Sequence, residues 1–530
     1  MKAHFSPILV WAACSAFCAE PGPATQPLDK AAYARVLYVA RTGGADTSLA
    51  GSSEKPYRSV TYALSQASGT APDRRCAIVV SSGVYAEPEL VMKPHVDLYG
   101  GFQPGSWRRD IVEFVSVLDG SRDHRVLTGA DFALLDGFTV RNGRLRGHGG
   151  ALLCDGVSPK VTNNVFLDNR ALSPLPWNPK VWHEDANDGG AIACNNRCRA
   201  VIANNLFTGN STETGRGGAV AVNRAAPDIR ANVVLGNAAG LADPMRSSDG
   251  GGISVYDHSR ALIVGNIILH NRAVASNDGG GIFVALWSSP VIEKNVVAGN
   301  YGDDDGGGLF IGGQKHHYGT PKDPVPPATE FRVVVRDNFI AGNRHGSANS
   351  GTLRATMESR ILLSGNRMVD NPGGLNLQAS EIEAERNVIL DSVWIRPPGM
   401  VVLARSILLG AIRTEGGARI RHCASREDLA GEGNIRATPR FTEDGAKLLA
   451  ATSNYDAPRF LTEYTLPSAA LPEGPLAGRP VRLGDRWSVV HSNSPGRLRV
   501  WGDSSYQRAL ELLPSYTLLE KMTGVDLGGN

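Results

Sequence analysis

Between residues 137 and 392 the chain alternates short apolar runs with Asn, Asp and Gly positions, without helical periodicity. One six-residue unit recurs eight times there, opening on Asn and closing on Asn or Ser. The first copies read Asn164-Val-Phe-Leu-Asp-Asn169, Asn205-Leu-Phe-Thr-Gly-Asn210, Asn232-Val-Val-Leu-Gly-Asn237 and Asn266-Ile-Ile-Leu-His-Asn271. The others start at Asn295, Asn338, Asn366 and Asn387, so successive starts lie 41, 27, 34, 29, 43, 28 and 21 residues apart. Six of the intervening stretches carry a glycine pair running into an apolar residue, from Gly149-Gly150-Ala-Leu to Gly306-Gly307-Gly-Leu. At about 3.3 Å per strand residue, one such unit makes a single turn of a coil with short faces. Stacked turns place equivalent residues about 4.8 Å apart and bury every apolar run. The pattern predicts an all-β chain, a right-handed parallel β-helix (a solenoid), with its Asn columns stacked as ladders that satisfy backbone groups at the bends.

Outside the repeat the pattern changes. Val60, Leu64 and Ala67 share one helical face, predicting a short N-terminal helix that caps the coil. Beyond residue 440, Arg479 to Leu483, Arg486 to His491 and Leu498 to Trp501 read as a small antiparallel β module, with a helical tail from Tyr506 to Leu513. That module is expected either to cover the coil end or to stand as an accessory unit. The expected organisation is a signal peptide over 1–24, the cap and first coils over 25–130, repeats over 131–440, and the C-terminal module with its tail over 441–530.

The paired signals Gly-Gly-Ala-Ile and Phe-x-x-Asn resemble the repeats of the polymorphic outer membrane proteins and of secreted bacterial right-handed β-helix proteins, the pectate lyase-like superfamily. Pro56-Tyr-Arg-Ser-Val60, Ile78-Val-Val-Ser-Ser-Gly-Val-Tyr85, Leu98-Tyr-Gly-Gly-Phe102 and Leu135-Asp-Gly-Phe-Thr-Val140 extend the likeness, which covers roughly residues 36 to 440. It implies the fold and leaves the activity open, because such β-helices host lyases, glycosidases, epimerases and adhesins.

Composition narrows the function classes. Fifty-four basic and 52 acidic residues give a net charge of +2, and no Lys/Arg tract points to nucleic acid. Glycine, at 61 of 530 residues, fits many tight turns. Met1-Lys2 followed by an uncharged stretch from Phe5 to Ala19 reads as an export signal too short to span a bilayer, with lipidation at Cys14 the weaker alternative. The expectation is a secreted monomer in the periplasm, at the cell surface or outside the cell, with no transmembrane segment in the mature chain. Cys154 and Cys194 fall at equivalent repeat positions, within disulfide range if stacked; Cys194 and Cys198 compete with them, and their Cys-x-x-x-Cys spacing is a weak zinc signal.

Candidate chemistry lies in the column just before the glycine pairs: His148, Asp188, Arg216, Asp249, Asp278 and Asp305. Arg216 can compensate Asp188 and Asp249, whereas Asp278 and Asp305, reinforced by Asp304, have no such partner in the column. Stacked carboxylates repel, which makes Asp249, Asp278, Asp304 and Asp305 candidate Ca²⁺ ligands. The competing reading is structural, since Asp before glycine is a common turn former. Insertions beside the column carry Trp177, Trp182 and His183, and then Lys315, His316, His317 and Tyr318. Aromatic rings beside carboxylates suit an extended polysaccharide, with Trp177, Trp182, His183 and Tyr318 as its contacts. A lyase acting on a uronate-containing glycan needs a cation or Arg216 against the uronate carboxylate and a base, here Lys315, His316 or His317. A glycoside hydrolase using paired Asp, and a non-catalytic surface or adhesion protein, are the alternatives.

Overall fold

The computed structural model describes residues 28–516, apart from 70, 174–186, 243–247, 314–330, 349, 379, 442–444, 468–470 and 472–474. The described chain falls into two compact units. The N-terminal unit holds residues 28–262 with 272–277, and the C-terminal unit holds 263–271 with 278–516. Each is built from parallel coils, the right-handed β-helix expected from the repeat.

In the N-terminal unit one coil reads Lys160–Thr162 on a first sheet, Val165–Leu167 on a second, Arg170–Leu172 on a short fourth, and Ile192–Asn195 on a third. Successive coils stack in register, Val161 against Ile202, Phe166 against Phe207 and Cys154 against Cys194. Alternation turns Val161, Phe166 and Cys194 inward, where each is fully buried. Phe166 and Phe207 stack with ring centroids 4.9 Å apart. At the start of the unit, Ser59 caps the helix Val60–Gln66 by accepting from the Tyr62 N–H at 3.1 Å. The helix buries Val60, Ala63 and Leu64 against the strands Arg35–Val39 and Cys76–Ser81.

The Asn columns are inward ladders in both units. Asn164 Nδ2 donates to Asn205 Oδ1 at 3.1 Å, and Asn205 Nδ2 to Asn232 Oδ1 at 3.0 Å. In the C-terminal unit the chain runs Asn266, Asn295, Asn338, Asn366 and Asn387, each step 3.0 Å. The ladder amides also donate to strand carbonyls, as Asn295 Nδ2 does to Ile263 at 2.9 Å, which satisfies the ladder side chains at the bends. A second ladder runs Asn271, Asn300, Asn343 and Asn371, and ends on Asp391.

The C-terminal module is a seven-stranded antiparallel sheet in the C-terminal unit, comprising Ala446–Leu449, Thr452–Asp456, Leu461–Thr465, Pro480–Leu483, Arg486–Ser494, Arg497–Trp501 and Ala509–Leu512. Its core includes Tyr464, Val481, Val490, Leu498 and Val500. The expected tail helix is instead a strand: Ala509–Leu512 pairs with Ala446–Leu449 and buries Leu510 and Leu512, a period of two. The module docks on the bends of the coils. His270 ring nitrogens face the Trp487 carbonyl at 2.6 Å and the Gly299 carbonyl at 3.2 Å, Arg482 pairs with Asp370 at 3.0 Å, and the Trp487 indole lies over Gly342. Beyond it, Tyr516 packs against Phe441 beside Val388, Ile407 and Ala424.

Candidate functional site

In the N-terminal unit the column before the glycine pairs is stacked as its spacing requires. Gly149 N–H donates to the Asp188 carbonyl at 2.8 Å, Gly189 to Arg216 at 2.8 Å and Gly217 to Asp249 at 2.9 Å. The first glycine of each pair adopts positive φ (66° at Gly149, 76° at Gly189, 70° at Gly217), which only glycine takes without strain.

Asp188 is the hub of this column and is buried. Its Oδ1 accepts from the Arg216 backbone N–H at 2.7 Å, and its Oδ2 accepts from the Tyr256 hydroxyl. Tyr256 reaches it from the third-sheet strand two coils on. Arg216 stacks its guanidinium 4.5 Å from the Tyr256 ring centroid and holds its Nε 4.0 Å from Asp249 Oδ2. Arg216 thus serves both acids, one through its backbone and one through its side chain. His148 Nδ1 accepts from the Asp188 backbone N–H at 3.1 Å. A peptide N–H can only donate, so Nδ1 is the acceptor in this bond and Nε2 is the ring nitrogen left to donate. His148 therefore offers a donor rather than a base.

The same face carries an unusual pair of groups. Ser254 follows Ala193 and Ala221 in one outward column of the third sheet, and Asn195, Asn223 and Tyr256 form the next. All six are buried although they alternate away from the core. Ser254 Oγ and Asn195 Oδ1 have no hydrogen-bond partner in the protein. Buried polar atoms of this kind are rare and cost free energy unless something satisfies them.

In the C-terminal unit, Asp278 Oδ1 accepts from the Asp305 N–H at 2.9 Å, and Asp305 Oδ2 meets Arg354 Nε at 3.3 Å. The cationic partner of Asp305 comes from outside the column: it is Arg354, on the strand Leu353–Thr356. Arg354 also donates to Asn376 Oδ1 at 2.5 Å and Gln378 Oε1 at 2.6 Å. Among the described residues, one group of three or more His, Cys, Asp or Glu has converging ligand atoms, and it is Cys154, Cys194 and Cys198. Trp177, Trp182, His183, Lys315, His316, His317 and Tyr318 lie outside the described residues, as does the export signal.

Sequence reasoning missed Tyr256, Ser254 and Asn195, which alternate outward on strands read only for their apolar content. It also missed Asp391, which lines a recess of about 390 Å³ with Arg344, Asp370, Arg482 and Trp487. Burial pushes the Asp391 carboxyl up to about 6.

The family model for the right-handed beta helix region matches residues 126–319. With parallel sheets stacked coil on coil in each unit, the fold defines a right-handed β-helix protein. No curated protein matches the chain. Similar solved structures include the tailspike protein of E. coli bacteriophage HK620 in complex with a pentasaccharide, 10% identical over 86% of this chain and 88% of that one, with a TM-score of 0.25. Another is the tailspike protein gp49 of Acinetobacter baumannii bacteriophage Fri1, a capsular polysaccharide depolymerase, 9% identical over 93% and 89%, with a TM-score of 0.24. At such identities and scores these likenesses carry nothing about site or substrate. Among the described residues no helix is long and apolar enough to cross a membrane.

Proposed function

We propose that this is an exported β-helix protein that binds an extended polysaccharide along the outward face of the third sheet in the N-terminal unit. The observation that carries this reading is the pair of buried, unpartnered oxygens, Ser254 Oγ and Asn195 Oδ1, beside the Asp188–Tyr256–Arg216 cluster. Sugar hydroxyls both donate and accept, so a glycan that reaches these two buried atoms is the ligand class that would satisfy them. His148 Nε2–H adds a donor to it.

The chemistry we propose is β-elimination on a uronate-containing glycan. A cation or Arg216 would neutralise the uronate carboxylate while a base takes the C5 proton. Ca²⁺ on the Asp278–Asp305 column of the C-terminal unit is a separate proposal, motivated by its stacked carboxylates. A purely binding role is the second reading. It is favoured by the fact that Asp188, Asp249, Asp278 and Asp305 each already face a hydrogen-bond donor or cation.

Incubation with a panel of uronate-containing and neutral polysaccharides tests both. Binding with a rise in ultraviolet absorbance from the unsaturated product is the expected result. Binding without product gives the second reading, and no binding to any member overturns the proposal.

A further inference from the structure

Three cysteines of the N-terminal unit depart from the repeat at a single point. The inward position of the third sheet runs Cys154, Cys194, Val222 and Val255 on successive strands. In the C-terminal unit the equivalent position holds Val284, Ile311, Ala355 and Leu377. Aliphatic side chains fill it well, so packing does not call for sulfur there. The bend after the strand closes on a backbone bond to the residue three back: Cys198 to Asn195, Ser288 to Ala285, Ser359 to Thr356. Serine is the residue at two of these three bends. Cys198 replaces it where the two strand cysteines stack.

The result is a closed pocket of sulfur. The three Sγ atoms lie within 4.8 Å of one another, and each residue is 0% exposed. The Ala200 N–H donates to Cys198 Sγ at 3.4 Å, the kind of amide contact that steadies a thiolate.

We propose that Cys154, Cys194 and Cys198 form a buried three-thiolate site for a thiophilic metal ion, with three-coordinate Cu(I) the ion the donor set fits. Soft thiolates select Cu(I) and Zn²⁺ from the ions a cell offers. Structural Zn²⁺ takes four protein ligands, and among the described residues no fourth Cys, His, Asp or Glu joins the three. Metal–sulfur bonds of about 2.3 Å in a trigonal plane put the sulfurs about 4 Å apart, inside the observed spacing. Each thiol that binds gives its proton to solvent, so affinity falls as pH falls. Ligands from two coils and a bend come together only on folding. The ion would therefore load as the coils form and would pin them to one another.

The test uses the full chain with Cys14 and Cys18 changed to Ser, which leaves Cys76 and Cys423 as internal controls. It is refolded under reductant with Cu(I) supplied from bicinchoninate, and separately with Zn²⁺, and bound metal is counted by native mass spectrometry. The expected result is one Cu(I) per chain and a Tm several degrees above that of the metal-free protein. Cys198→Ser, which copies Ser288 and Ser359, and Cys194→Val, which copies Val222, should each keep the β-sheet circular dichroism and lose both the ion and the Tm rise. One Zn²⁺ with no Cu(I) would overturn the three-coordinate assignment. Equal metal in parent and variants would overturn the site, as would a disulfide between any two of the three in the chain purified without reductant.

Discussion

Asparagine does more in this chain than mark turns. Asn295 donates to Ile263 and Asn338, and accepts from the Asn266 N–H at 2.8 Å and its side chain at 3.0 Å. Asn295→Leu strands several buried groups at once, so unfolding free energy should drop by about 3 kcal/mol or more, read by denaturant titration. Asp391 ends the second ladder with a carboxylate where Asn would continue it. Its folded pKa, about 6, lies above the unfolded value, so the native state holds the proton more tightly. Stability from this group is full below about pH 4 and is lost as pH rises through 6. Asp391→Asn should flatten that dependence and raise stability at neutral pH by up to about 3 kcal/mol, measured as Tm against pH. The ladders were legible because their members recur at one place in each unit. Arg354 was not: it meets Asp305 from 49 residues on, and nothing local marks the pairing.

The coils follow from strand alternation and bend chemistry, both local, which is why the fold class was legible in the repeat. The C-terminal module was read only in part. Three of its strands carry clear turn signals, whereas Thr452–Asp456 and Leu461–Thr465 mix polar and apolar residues and pair with each other across a short 3-10 turn at Ala457–Arg459. The segment Ala509–Leu512 was read as helical because Leu and Glu favour helices in isolation, and tertiary pairing with Ala446–Leu449 overrides that preference. Where the module lands was not legible at all, since its footprint is made of bends. Gly342, at φ 60°, is the footprint's tightest point, and a Cβ there would strike the Trp487 indole. Gly342→Val should loosen the module while the coils persist. Limited proteolysis would show early cleavage after residue 440 together with retained parallel-sheet circular dichroism; an unchanged digestion pattern would contradict this docking.

At the scale of the whole molecule, a solenoid has faces rather than a single cleft, and function depends on which face departs from the repeat. At the bends between the first and second sheets, the Asn ladders satisfy the backbone groups they reach. The outward third sheet of the N-terminal unit is where alternation places polar residues in buried positions, and where two of them stay unpartnered. The acidic column beside it was visible in the sequence from its fixed offset to the glycines. The outward residues Ser254, Asn195 and Tyr256 were hidden because one strand shows only two or three of them. Ser254→Ala is the most direct test of the central claim. If the hydroxyl serves only the fold, removing an unsatisfied buried group leaves Tm unchanged or raised and leaves glycan affinity untouched. If it serves a polysaccharide, the same change keeps Tm and weakens binding of the panel's best ligand about 2- to 10-fold, the worth of one hydrogen bond. Affinity measured by titration calorimetry on the wild type and Ser254→Ala, at matched Tm, decides it: a loss in that range supports a glycan surface on the third sheet, and equal affinities contradict it.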